Sequence, residues 1–277
     1  MAQSKILVTA STGNIGLPLS KALQRRGIHF TAATRDADRA KKEFGFDTDT
    51  VHLDFKDPSG FGPALEGKEL LFLCGPSATP GAQELLKPLV EEAIAGDVKH
   101  VVFVASYPGL MELIEKSDMN FTFLKANFFM QNFEMYQAED IRERDQIFLP
   151  TGAGKAPFIH TRDIGEAAAV VMENPGAYEG ETIYLTGPES MDHFRAADIF
   201  SDVLGRKISY QDPDDDEYRK EMEARGYSEE YIEAMIAVFG KIKKGQVASY
   251  SDGFENITGR KPATLKEYVE ENREEFV

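Results

Sequence analysis

The feature that most limits what this chain can become is an apolar strand running straight into a glycine turn and then a helix. Lys5-Ile6-Leu7-Val8-Thr9-Ala10-Ser11-Thr12-Gly13-Asn14-Ile15-Gly16 is followed at once by the helix-like Leu17-Pro18-Leu19-Ser20-Lys21-Ala22-Leu23. Such a turn aims backbone N–H groups and a positive helix end at one spot, which suits a dinucleotide pyrophosphate. Gly13 lets the backbone approach the phosphates, and Gly16 lets the helix pack close to the strand. Ala10, Thr12, Gly13, Asn14, Ile15 and Gly16 are therefore the expected phosphate-side contacts. Ala10 stands where the fingerprint has its first glycine, and its methyl is harmless while φ stays below zero. The competing reading is a structural turn that holds no ligand.

Strand-like and helix-like runs alternate from here. Residues 5–10, 28–34, Thr50 to Leu53, Glu69 to Cys74, His100 to Ala105 and 121–124 read as strands. Residues 15–26, Asp38 to Phe44, 81–95 and 110–117 read as helices. Alternation of this kind predicts an α/β fold, a doubly wound parallel Rossmann sheet with helices on both faces. The second half is less regular, with a strand at Thr182-Ile183-Tyr184-Leu185 and helices near 163–173, 193–204 and 216–239. Thr264-Leu265-Lys266-Glu267 reads as a capping box opening a last helix. The expected division is a dinucleotide-binding domain over 1–150, then sheet completion and a smaller, mostly helical substrate domain over 151–277.

Composition narrows the partners. The formal net charge of −16 disfavours nucleic acid and anionic membrane surfaces, both of which attract basic proteins. A single cysteine, Cys74, leaves no intrachain disulfide and no cysteine-based metal cluster, and no His/Asp/Glu spacing reads as a metal site. No leader-like segment and no membrane-length apolar run is visible, so a cytoplasmic protein is expected. A homodimer is left open.

The strand ends carry the next clues. Thr34-Arg35-Asp36 closes the second strand, where an acid would select NAD. An arginine there holds a 2′-phosphate, so Arg35 favours NADP(H) over NAD(H), while Asp36 keeps NAD(H) open. Asp54, after strand three, either meets the adenine amino group or caps a turn. Cys74, Gly75 and Pro76 close strand four on the same edge, with Cys74 read as a passive wall.

Taken in order, these segments resemble the NmrA-like family of atypical short-chain dehydrogenases/reductases. Val98 to Ser106, the run Phe121 to Asn132 with its Asn127-Phe128-Phe129-Met130, and Phe158-Ile159-His160-Thr161-Arg162-Asp163-Ile164 are similar to that family's landmarks. So are Thr186-Gly187-Pro188-Glu189, Val203-Leu204-Gly205-Arg206 and Thr258-Gly259-Arg260-Lys261-Pro262. The resemblance implies a nicotinamide cofactor, and either a small-molecule reductase or a redox-sensing regulator that binds the dinucleotide without turnover. It also implies that Ser106 touches the cofactor and that Asn127 and Phe128 flank the nicotinamide. The wider superfamily's Tyr-x-x-x-Lys pair is missing: Tyr107 follows Ser106, but Met111 stands where the lysine would be. Ser106 and Tyr107 remain the candidate catalytic residues, orienting a carbonyl by hydrogen bonds. A hydride can pass to an electron-poor acceptor without a strong protein acid, so the expected substrate is a small electrophile, quinones first. Asp163 reads as a helix N-cap and His160 as a structural histidine. Tyr227, Tyr231, Met235 and Phe239 form one helical stripe that either roofs a cleft or packs domains.

Overall fold

The computed structural model describes residues 4–76, 81–104 and 107–277. The amino-terminal half holds β1 (Ile6–Val8), α1 (Gly16–Arg25), β2 (Thr31–Thr34), α2 (Ala37–Phe44), β3 (Asp49–His52), α3 (Phe61–Leu65), β4 (Leu70–Cys74), α4 (Ala82–Ala95), β5 (His100–Val104), α5 (Pro108–Glu115) and β6 (Asn120–Ala126). It continues with α6 (Gln131–Arg144), β7 (Gln146–Phe148), α7 (Thr161–Glu173), β8 (Glu181–Leu185), α8 (His193–Leu204) and β9 (Ser209–Gln211). The last helices are α9 (Asp215–Ala224), α10 (Glu229–Lys243), α11 (Gly253–Thr258) and α12 (Leu265–Glu271).

Seven strands form one sheet in the order β3-β2-β1-β4-β5-β6-β8, and every pairing in it is parallel. The order reverses between β1 and β4, the crevice where doubly wound sheets bind their ligands. One face is covered by α1 and α7, whose Leu19, Leu23, Ile164 and Val171 bury against Val8, Phe72 and Val102. The other is covered by α3, α4 and α5 through Phe61, Leu86, Leu89 and Leu110. Burial on both faces explains why β4 and β5 are apolar but for His100 at the start of β5. A third core, with Phe133, Phe158, Phe200, Phe239 and Tyr268, belongs to the carboxyl-terminal helices and the two-stranded β7-β9 ribbon.

Three expectations are corrected. Strand two does not start at Ile28, because the N–H of Ile28 still closes the end of α1 on Leu23 O (2.9 Å) behind Gly27 at φ 68°. The helix expected over 216–239 is two helices. Gly226 at φ 84° ends α9, with the Tyr227 N–H on Met222 O, and Ser228 caps α10 by accepting from the Tyr231 N–H. Asp163 is not an N-cap: the ring of His160 caps α7 by accepting from the Arg162 N–H at 3.0 Å. Asp163 is buried one turn inside and accepts from the Ala263 N–H at 2.7 Å, tying the carboxyl-terminal segment to α7. The capping box at Thr264 and Glu267 forms as expected.

Candidate functional site

The glycine turn sits at the carboxyl end of β1, pinned from both sides. The Thr9 hydroxyl donates to Phe72 O (2.9 Å) and accepts from the Cys74 N–H (3.0 Å), while the Ser11 hydroxyl donates to Ala33 O (3.1 Å). These bonds hold the turn against β2 and β4. Among the described residues the N–H groups of Thr12, Asn14 and Ile15 have no internal acceptor. Three free N–H groups at a helix start are what a pyrophosphate needs, so the turn fits a dinucleotide. Ala10 does not keep φ below zero: it lies at +47°, the left-handed region in which the fingerprint glycine would be unstrained. The methyl is accommodated at the cost of backbone strain.

Beyond β2, Arg35 is exposed and makes no ion pair among the described residues. Asp36 is occupied as the N-cap of α2, accepting from the Arg39 N–H at 2.9 Å. Arg39 escaped the sequence reading. Its guanidinium donates to the Thr12 carbonyl at 3.1 Å and so stands over the mouth of the glycine turn. Asp54 accepts from the Lys56 N–H at 3.0 Å, which makes it a turn cap in this structure. Asn14 turns its amide to Met135 Sδ of α6 at 3.1 Å.

From this edge a cavity of about 650 Å³ runs towards the carboxyl-terminal helices. Ile15, Cys74, Gly75, Val104 and Asn127 line its sheet end. Phe158, Met235, Phe239 and Ile242 line its far end. Met235 and Phe239 of the aromatic stripe thus roof the cleft, while Tyr227 is exposed and stacks on Tyr231. Helix α6, absent from the sequence reading, supplies Asn132, Phe133, Tyr136 and Gln137 to the wall.

The named polar groups divide clearly. Tyr107 reaches the cavity, but its hydroxyl donates to Pro76 O at 2.8 Å and burial pushes its pKa up. Ser106 lies outside the described residues. Burial pushes the Cys74 thiol up to about 12, so it is a wall and not a nucleophile. Asn127 uses its amide on Val247 O (3.1 Å) and its carbonyl on the Phe128 N–H (2.8 Å), so its side chain organises the end of β6. Phe128 packs half-buried at the wall. His160 is held by Gln131 (3.1 Å), away from the cavity lining, and burial pushes it down to about 4.

His193 is the polar residue the sequence did not reveal. It opens α8, is 3% exposed and lines the apolar end of the cavity. Its Nδ1 meets Thr151 Oγ1 at 2.8 Å, which meets the Tyr210 hydroxyl at 2.8 Å. The Tyr210 hydroxyl also lies 2.8 Å from Leu149 O and 3.2 Å from Asp212 Oδ1, and the Thr151 N–H donates to Leu149 O at 2.9 Å. The ring is clamped by Phe133, Phe158 and Tyr210, and burial pushes its pKa down to about 4. Residues 151, 193 and 210 meet only through the β7-β9 ribbon and α8, so no local pattern announces them.

Comparisons with known proteins agree with this geometry. The NmrA-like family pattern matches residues 109–276, and an NAD(P)H-binding pattern matches residues 10–146. Prestalk A differentiation protein A of Dictyostelium discoideum is 27% identical, over 96% of this chain and 91% of that protein. NAD(P)H azoreductase of Xenophilus azovorans is 28% identical, over 98% of this chain and 99% of that protein. Among solved structures, an NADPH-dependent quinone oxidoreductase of Escherichia coli in complex with NADPH superposes with a TM-score of 0.87. It is 20% identical, over 97% of this chain and 99% of the other, a likeness of fold.

Proposed function

The chain belongs to the NmrA-like family, and from that premise we propose that it is an NAD(P)H-dependent reductase of small apolar electrophiles, quinones first. One observation carries the reading: the cavity begins at Ile15 and Cys74, beside the glycine turn, and opens into a chamber of phenylalanines and aliphatic residues. A dinucleotide laid along the turn supplies hydride at the sheet end of that chamber. Thr12, Asn14 and Ile15 would hold the pyrophosphate through their N–H groups, Arg35 the 2′-phosphate of NADP(H), and Asn127 and Phe128 the nicotinamide side. The names and folds of the azoreductase and quinone-oxidoreductase relatives point the same way.

Beside Tyr136 and the exposed Glu230, three titratable groups line the cavity. Tyr107 is committed to a carbonyl, Cys74 is a protonated thiol, and His193 is neutral at physiological pH. An acceptor whose reduction is driven by its own electron deficiency suits such a site, since solvent can supply the proton after hydride transfer. A regulator that senses the dinucleotide without turnover would use the same turn, but it has no need of an acceptor chamber. The test is steady-state oxidation of NADPH and NADH with a panel of quinones, azo dyes and aldehydes. Saturable turnover with quinones supports the proposal, and background rates across the whole panel refute it.

A further inference from the structure

We propose that His193 is the acceptor-recognition residue of this cavity, its Nε2–H donating a hydrogen bond to a carbonyl oxygen of the quinone-type acceptor. This rests on the reductase reading of the same cavity.

Nδ1 is held by Thr151 Oγ1, and Nε2 has no partner among the described residues. Among the described residues the buried side-chain polar atoms left without a partner are Asp163 Oδ1 and Ser190 Oγ, and Nε2 is not among them. An unpartnered Nε2 that is not sealed must meet open space, and the open space beside this ring is the cavity it lines. A histidine with a purely structural role would bury or bond both nitrogens.

The hydrogen-bond network reads as a proton relay. Leu149 O already takes the Thr151 N–H at 2.9 Å, so the one proton of Tyr210 goes to Thr151 Oγ1 at 2.8 Å. With that acceptor site filled by Tyr210, the Thr151 hydroxyl gives its own proton to His193 Nδ1 at 2.8 Å. Nδ1 accepting places the hydrogen on Nε2, so the cavity meets a donor. Phe158 meets the ring edge-on at a centroid distance of 5.4 Å, Phe133 meets it tilted at 6.0 Å, and Tyr210 stacks on it at 5.5 Å. The donor is therefore fixed before an acceptor arrives.

The chemistry follows. Reduction of a quinone consumes one hydride and one proton: quinone, NADPH and H⁺ give quinol and NADP⁺. As the hydride forms an O–H bond at one quinone oxygen, the ring π electrons shift and the other oxygen takes the negative charge, becoming the strongest acceptor in the chamber. A fixed, neutral N–H in apolar surroundings stabilises the developing charge more than the neutral carbonyl, which speeds the step. The imidazole stays neutral throughout, as a donor rather than an acid. Solvent supplies the one proton to that second oxygen on release. Leu149, Phe158, Met235 and Phe239 around the ring select a flat apolar body carrying that oxygen.

Histidine side-chain proton–nitrogen spectra of the full-length protein loaded with NADP⁺ test this without turnover. The probes are duroquinone and its hydrocarbon counterpart durene. The expected result is the Nε2–H tautomer at His193, with its nitrogen resonance moved by duroquinone and not by durene. An Nδ1–H tautomer, or equal responses to both probes, overturns the proposal. In turnover, His193→Phe should lower kcat/KM for duroquinone by roughly tenfold to a hundredfold, the scale of losing one such donor. His193→Gln, which keeps an amide N–H near the same point, should recover most of the loss. NADPH binding by fluorescence separates both variants from misfolded protein. Should NADPH never be oxidised while duroquinone still moves the His193 resonance, the reductase reading fails and the site stands. Should duroquinone be reduced while His193 is silent and His193→Phe matches wild type, the site fails and the reductase reading stands.

Discussion

Gly16 lies directly beneath the carbonyl of Ala10, so close that a Cβ at position 16 would overlap that oxygen and press on the Ala10 carbonyl carbon at 2.7 Å. The two positions form one device. The strained turn at Ala10 brings its carbonyl down onto the first residue of α1, and only glycine at 16 admits it. Gly16→Ala should displace the turn and weaken NADPH binding at least tenfold in a fluorescence titration. Ala10→Gly should remove the strain at φ +47°, and unfolding in urea should show a gain of about 0.5–1 kcal/mol.

Arg35 is free to meet a 2′-phosphate, while Arg39 already braces the Thr12 carbonyl. Arg35→Ala should raise Kd for NADPH about tenfold, the scale of one charge-assisted phosphate contact, and leave NADH unchanged. Arg39→Ala should weaken both cofactors, because the brace it removes does not read the 2′ position. Parallel titrations with NADPH and NADH check the pair.

Asp140 on α6 is 2% exposed and accepts two bonds from Arg225 just after α9, each of 2.9 Å. This pair fixes the helix that carries Asn132 and Tyr136 into the cavity. Arg225→Met leaves the buried carboxylate with only the longer contact to Arg144 at 3.6 Å, so it should cost about 2 kcal/mol in urea unfolding. Charge burial in the other direction governs Cys74. Its thiol should react with iodoacetamide at neutral pH far more slowly than free cysteine, and at the free rate once the protein is unfolded.

His160 and His193 are both pushed down to about 4 by burial, from an ordinary value of 6.5. Between those values the unfolded chain binds protons that the folded chain does not, so stability falls as pH drops from about 6.5 to 4. Asp163, whose pKa burial raises, acts with the opposite sign above 3.8, because the folded protein holds that proton longer. The urea midpoint should therefore fall on acidification through this window, and His193→Phe should remove about one proton from the slope.

How far the sequence spoke can be judged residue by residue. The apolar runs of β4 and β5, the glycine turn and the limits of α8 were legible, because each is set by neighbours in the chain. The strain at Ala10 was not, because its φ is imposed by β2 and β4 through Ser11 and Thr9. The cap of α7 fell to His160 instead of Asp163 because a distant segment, at Ala263, claimed the carboxylate. Helix α6 went unseen because its sequence is polar nearly all round: one side faces a cavity and another an ion pair. His193, Thr151 and Tyr210 are far apart in the chain, and only the assembled fold joins them.

The most direct test is a single turnover. Protein preloaded with stoichiometric NADPH is mixed with excess duroquinone without oxygen, and the nicotinamide absorbance is followed. The absorbance should disappear in one phase whose rate saturates with duroquinone. Bound NADPH whose absorbance stays unchanged at every duroquinone concentration would contradict it, leaving a protein that holds the cofactor without using it on this acceptor.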